Sequence, residues 1–215
     1  YARFRVKRKF DNSVLVILGG WNANILLNVD WLKRYLFPNN EKFQVEMPIR
    51  SAVFGPPQIS TDSIKLSLIG AKLSFAQILE DDSVLEQIED LGKKVADFLP
   101  HTPVSALGIN FLYEEEDGDT VLSYVPKNIL KKLEAFGNLK ENYQTFSFSF
   151  EKHTLNLKIS NSSEGLPTYD FNYHHQIKSP SDIKEIFSNK SIIEYKKETE
   201  NRIVELLDNV EGLEI

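Results

Sequence analysis

The stretch TFSFSFEKHTLNLKISNSSEGLPTYDFNYHH, residues 145–175, decides the fold. It holds three alternating pieces. Phe146, Phe148 and Phe150 share one face of the first. His153, Leu155, Leu157 and Ile159 share one face of the second, and Tyr169, Phe171, Tyr173 and His175 one face of the third. Side chains on a strand point alternately to opposite faces, so a period of two marks a half-buried strand. Three in succession predict an antiparallel meander with one wet face.

Downstream, the spacing predicts two helices, from Ser181 to Phe187 and from about Ile192 to Val210. Upstream, Pro126 opens a predicted helix that Gly137 ends. Before it, Val104–Tyr113 and Thr120–Tyr124 read as strands of a hairpin turned at Asp117-Gly118. The clearest helix runs from Asp81 to Leu99. Asp81 or Asp82 caps it, Val84, Ile88, Leu91, Val95 and Phe98 keep one face, and Pro100 stops it. Ile64–Leu68 and Leu73–Ile78 are strands joined through Gly70. Pro48–Asp62, with Gly55-Pro56-Pro57, reads as an irregular loop, and Phe43–Met47 as a short strand. Ile25, Val29, Leu32 and Leu36 form a helical stripe. Tyr1–Phe10 alternates, Val14–Leu18 is a buried strand, and Asp11-Asn12-Ser13 between them is turn chemistry, so these two pair as a hairpin.

Helices are too few between strands for a parallel doubly wound sheet. The expectation is an α+β fold: a mainly antiparallel sheet with four to five helices packed largely on one face. Residues 1–215 are expected to form one domain, with a possible subdivision near 100–104, because no linker separates the halves.

Composition narrows the function. The 215 residues carry a formal charge of −6, which argues against wholesale coating of nucleic acid. The absence of cysteine removes disulfides, thiolate metal sites and cysteine nucleophiles, and fits a reducing cytoplasm. No apolar run approaches the roughly 20 residues of a spanning helix, so no membrane partner is expected. The chain opens at Tyr1 rather than methionine, which leads us to expect a preceding segment. The glycosylation patterns at Asn161 and Asn189 read as chance.

The candidate binding residues are few. Arg3, Arg5, Lys7 and Lys9 share one face of the first strand, with Arg8 in the same run. With exposed aromatics they would suit single-stranded nucleic acid, but Phe4 lies on the opposite face. A charged edge strand that discourages aggregation is the plainer reading. Gly19-Gly20, between a strand and a helix, lacks the dinucleotide and P-loop patterns, yet a helix N-terminus beside Trp21 could take an anion. His101, braced by Pro100 and Pro103, is a possible base or contact on a loop, with no triad around it. Glu114, Glu115, Glu116, Asp117 and Asp119 lack calcium-loop spacing and read as a solvated hairpin tip. His174 lies on a face with Asp170 and Asn172, a row that binds a cation only if another strand adds ligands. His153 reads as a satisfied core histidine. No catalytic residue, metal site or cofactor is expected.

"GINFLYEEEDGD" (108–119), "TYDFNYHHQ" (168–176) and "DIKEIFSNKSIIEYKKETENRIVELL" (182–207) together resemble the layout of a sporadically distributed bacterial α+β family of unknown function. That family also has a glycine-led central strand, an aspartate-bearing strand and a closing helix pair. The residues before Asn110 depart from its pattern. The resemblance implies fold and a bacterial origin and carries no catalytic residue over.

The leading expectation is therefore a non-enzymatic interaction or assembly subunit of a bacterial cytoplasmic complex, possibly self-associating. Charge segregated between a basic strand and an acidic hairpin would steer such partners. The alternatives are a nucleic-acid-binding module using the basic strand, and an enzyme on a small anionic substrate near Gly19-Gly20 and His101.

Overall fold

The structure, a computed structural model, describes residues 6–10, 12–38, 42–46, 49–50, 53–54, 57–116, 141–162 and 165–208. The hairpin at Asp117-Gly118, the strand at 120–124, the helix at 126–136, Arg3 and Arg5 lie outside the described residues.

The strands are β1 (Val6–Lys9), β2 (Ser13–Gly19), β3 (Gln44–Glu46), β4 (Ile49–Arg50), β5 (Val53–Phe54), β6 (Gln58–Ser60), β7 (Ile64–Ile69), β8 (Lys72–Gln77), β9 (Val104–Glu115), β10 (Glu141–Ser149), β11 (Thr154–Ser162) and β12 (Gly165–Gln176). The helices are α1 (Ala23–Leu26), α2 (Val29–Tyr35), α3 (Asp82–Phe98), α4 (Pro180–Asn189) and α5 (Ile192–Asp208). The main sheet runs β10-β11-β12-β9-β2-β8-β7-β6-β3, with β1 also on β9, and every pairing in it is antiparallel. This is the α+β architecture the alternation predicts, and β10-β11-β12 is the predicted meander.

Three local expectations are corrected. β1 and β2 do not pair with each other. Both lie antiparallel along β9, Val6–Lys9 against Glu115–Leu112 and Leu15–Leu18 against Ile109–Ala106. Both strands therefore run in one direction along β9, one after the other, and cannot form a hairpin with each other. The stripe from Ile25 to Leu36 is two helices, because the Asn28 side chain accepts from Trp31 N and caps a second start. The loop at Pro48–Asp62 contains the small β4–β5 pair and β6, which joins the main sheet.

Among the described residues, one face of the sheet is packed and the other is open. Leu15, Ile17, Leu107, Ile109, Phe111, Leu157, Tyr169, Phe171 and Tyr173 are buried in one core with Ile88, Leu91, Ile183, Phe187 and Ile192 of the helices. Gly92 lets α3 approach: a Cβ there would stand 2.9 Å from Leu15 Cδ2 and 3.1 Å from Phe187 Cε2. Burial of such side chains contributes roughly 1.5–3 kcal/mol each. The exposed Lys184–Asp97 ion pair between α4 and α3 contributes about 0.2–1 kcal/mol. Apolar packing therefore decides where the helices sit.

The open face carries polar side chains in register. Ser147, Asn156, Asn172 and Asn110 are successive cross-strand partners on β10, β11, β12 and β9. Ser147 Oγ donates to Asn156 Oδ1 (2.7 Å), Asn156 Nδ2 to Asn172 Oδ1 (3.1 Å), Asn172 Nδ2 to Asn110 Oδ1 (2.6 Å), and Asn110 Nδ2 to the Ser13 carbonyl (3.1 Å). Gly108 makes room for this row, since a Cβ there would meet Asn172 Nδ2 at 3.0 Å.

Candidate functional site

The helix-facing side of the meander ends in a cavity of about 600 Å³ between the β10–β11 turn, the end of β12, α4 and the start of α5. Phe150, His153, His175, Lys190 and Tyr195 line it, with Asp182, Glu185 and Asn189 of α4. The local sequence sets this up. Thr154 pairs with His174, so His153 and His175 fall side by side on the packed face, with ring centroids 5.3 Å apart. Pro180 opens α4 at a favoured position, and the Asp182 carboxylate accepts from the Lys178 and Ser179 amides. Those bonds, the Lys178 amide first, hold Asp182 below the usual carboxylate range.

His175 is buried, and its Nε2 lies 3.0 Å from the Tyr195 hydroxyl. The Lys152 backbone favours the charged ring, but only weakly against the other influences. Burial, then the adjacent His153, lowers His175 to about 4. His153 is also lowered, chiefly by burial. Phe150 stacks on His153 at 4.9 Å and 14°. His153 Nε2 is shut from water and has no hydrogen-bond partner, so this is not the satisfied core histidine expected.

Behind the imidazoles lies a charged network. Lys190 pairs with Glu198 and stands 4.2 Å over the Tyr195 ring. Arg202 Nη2 donates to Glu198 at 2.6 Å, and its guanidinium lies 5.5 Å from the Phe150 ring centre. Burial pushes Glu198 up, but the hydrogen bonds from Lys190 and Arg202 outweigh it and hold the carboxyl low. Burial raises Tyr173 and Tyr195 to about 12, so both phenols keep their protons near neutrality.

Nε2 of His175 is engaged by Tyr195, and a base at about 4 is mostly unable to take a proton at neutral pH. Among the described residues no group of three or more His, Cys, Asp or Glu could hold a metal ion.

The residues singled out from the sequence lie elsewhere. Gly20 N donates to the Pro103 carbonyl at 2.8 Å, and a Cβ on Gly19 would stand 2.8 Å from that oxygen, so close packing against the 99–103 loop accounts for the glycines. Trp21 is half-buried, with Nε1 donating to the Ile17 carbonyl at 3.1 Å. The start of α1 is taken by Asn22, whose side chain accepts from Asn24 N. His101 is exposed, and neither it nor Gly19 or Gly20 lines the cavity of His153 and His175 or the concavity on the open face. On β1, Lys7 is exposed, Lys9 pairs with Glu114 at 2.8 Å, and Arg8 is buried on the helix side. His174 stands on the open face with Asp170 and Asn172, in a concavity that also takes Asn110 from β9.

The sequence reading missed the pairing of His153 with His175 and the burial of Arg8. Both signals were present. Continuing the alternation across two adjacent strands brings the histidines together, and even-numbered Arg8 shares the face of Phe4 and Val6.

Comparison with known proteins finds no matching family model, no matching curated protein and no matching solved structure.

Proposed function

We propose that this chain acts by binding a small, flat, weakly charged molecule in the cavity walled by Phe150, His153, His175 and Tyr195. The observation that carries the reading is His153 Nε2, buried without a partner beside a cavity of ligand size. The aromatic wall favours a ring, and the imidazole supplies one hydrogen bond once the ring turns toward the cavity. Of the charges in the lining, Lys190 already pairs with Glu198 and Asp182 already accepts from the Lys178 and Ser179 amides, which leaves less to reward a charged ligand.

Ligand-observed NMR with a library of uncharged aromatic fragments tests this near neutral pH. Fragments that bind, and that lose binding in both Phe150→Ala and His153→Phe, support it. A library with no binders, or binders indifferent to both substitutions, removes it.

The assembly role expected from the sequence is the second reading, with a second copy of the chain as the partner. It is favoured by the open sheet face, where Leu18 and Tyr143 are exposed large side chains. Charge segregation supports it less than the sequence suggested, because Lys9 already meets Glu114 within the chain. Sedimentation across a wide concentration range decides: a monomer throughout ends this reading.

A further inference from the structure

A second cavity, of about 520 Å³, lies across α5 from the first, lined by Val6, Arg8, Glu80, Tyr113, Lys196 and Glu200 among others. Arg8 and Tyr113 are directly opposed in the β1–β9 register. Arg8 is 7% exposed, and its Nη2 donates to Gln77 Oε1 at 2.6 Å. Gln77 is fixed in turn, its Nε2 donating to the Leu79 and Asp81 carbonyls. Arg8 Nη1 and the Tyr113 hydroxyl are both buried without a hydrogen-bond partner. No carboxylate of the described residues lies within ion-pair distance of Arg8. The buried Glu115 nearby accepts from the Tyr169 hydroxyl at 2.5 Å.

A buried cation with no ion-pair partner has lost its hydration without replacement. Two orphaned donors beside one cavity call for an acceptor that carries charge. We infer that this cavity receives the carboxylate of a small molecule, held by Arg8 Nη1 and the Tyr113 hydroxyl at its floor. Both atoms are closed off from water here, so the ligand enters by displacing a side chain. Lys196 and Glu200 supply the means: they pair loosely at 3.7 Å, while Lys196 is held by Asp82 at 2.7 Å. The incoming carboxylate takes the place of Glu200 beside Lys196. Glu80, Glu116 and Glu200 line the same cavity, which disfavours a dianionic phosphate and favours a ligand whose remainder is neutral or cationic.

Calorimetric titration at low salt with acetate, propionate and the common amino acids tests the inference, with inorganic phosphate as the opposing probe. At least one carboxylate binds and phosphate does not. Tyr113→Phe weakens that binding roughly tenfold or more without lowering thermal stability, because the lost hydroxyl has no partner in the fold. Glu200→Gln tightens it by removing the competitor. No binding by any carboxylate, or phosphate binding as well as a carboxylate does, overturns the proposal. So does a Glu200→Gln chain that is destabilised and binds nothing, since Glu200 would then be the counter-ion of Arg8. Phe150→Ala leaves carboxylate binding intact, so failure at one cavity is distinguishable from failure at the other.

Discussion

Substituting His175→Phe removes a buried imidazole that acid must charge. Folded, the ring is lowered from 6.5 to about 4, first by burial and then by His153. Unfolded, it regains its ordinary value. As pH falls below that value the unfolded chain takes up a proton the folded chain does not, so stability declines. The contribution is fully present above about 6.5 and is lost as pH falls toward about 4. Each unit corresponds to about 1.36 kcal/mol, so His175 accounts for about 2 kcal/mol of lost stability between about pH 7 and about pH 5. His175→Phe is less stable at neutral pH by roughly 1–3 kcal/mol, since the Tyr195 hydroxyl loses a partner. Its stability then falls less on acidification, by that same 2 kcal/mol or so. Urea unfolding of both chains at several pH values measures the difference between the two slopes, in which carboxylate titrations common to both cancel. Parallel pH profiles would refute the assignment of a neutral, buried His175.

Gly92→Val places branched carbons against Leu15 and Phe187 and lowers stability by about 1–3 kcal/mol, read from the urea midpoint. Asn172→Ala strips partners from Asn110 and Asn156 and costs about 1–2 kcal/mol. A double-mutant cycle with Asn110→Ala returns a coupling of roughly 0.5 kcal/mol or more. Gly70→Ala costs about 1–2 kcal/mol by thermal unfolding: Gly70 sits at φ +59 with open space around it, so the penalty is backbone strain alone.

What the sequence discloses here is periodicity. β7, β8, β9, β11, β12 and α3 each repeat an apolar pattern long enough to read, and Asp81 caps α3 as its position suggests. The two-residue β4 and β5 carry no period, so a loop was the natural reading of that segment. β1 and β2 show the limit of turn chemistry, because the strands on either side of the polar residues continue in one direction along β9. The candidate sites were less legible for a different reason. His153, His175 and Tyr195 come from three elements, and Arg8 and Tyr113 from strands more than a hundred residues apart in sequence. No local motif records such meetings. Gly19-Gly20, between a strand and a helix, and His101, between prolines, drew notice by composition, while the two glycines are explained by contact with Pro103.

The amide row on the open face bears on how the sheet finds its alignment. Alternation of apolar and polar residues rejects a strand displaced by one residue, since every side chain changes face. It is blind to a displacement by two, which returns each side chain to the face it left. Along β11 and β12 the packed positions are nearly interchangeable under such a shift, Leu155, Leu157 and Ile159 against Tyr173, Phe171 and Tyr169. Asn156, Asn172 and Asn110 are not: displaced by two, Asn156 would face Asp170 or His174 in place of another amide. The row thus acts as a vernier, resolving the even-numbered misalignments that hydrophobicity leaves degenerate. A chain without it should still collapse into the same layers, but with strands that dock in more than one position.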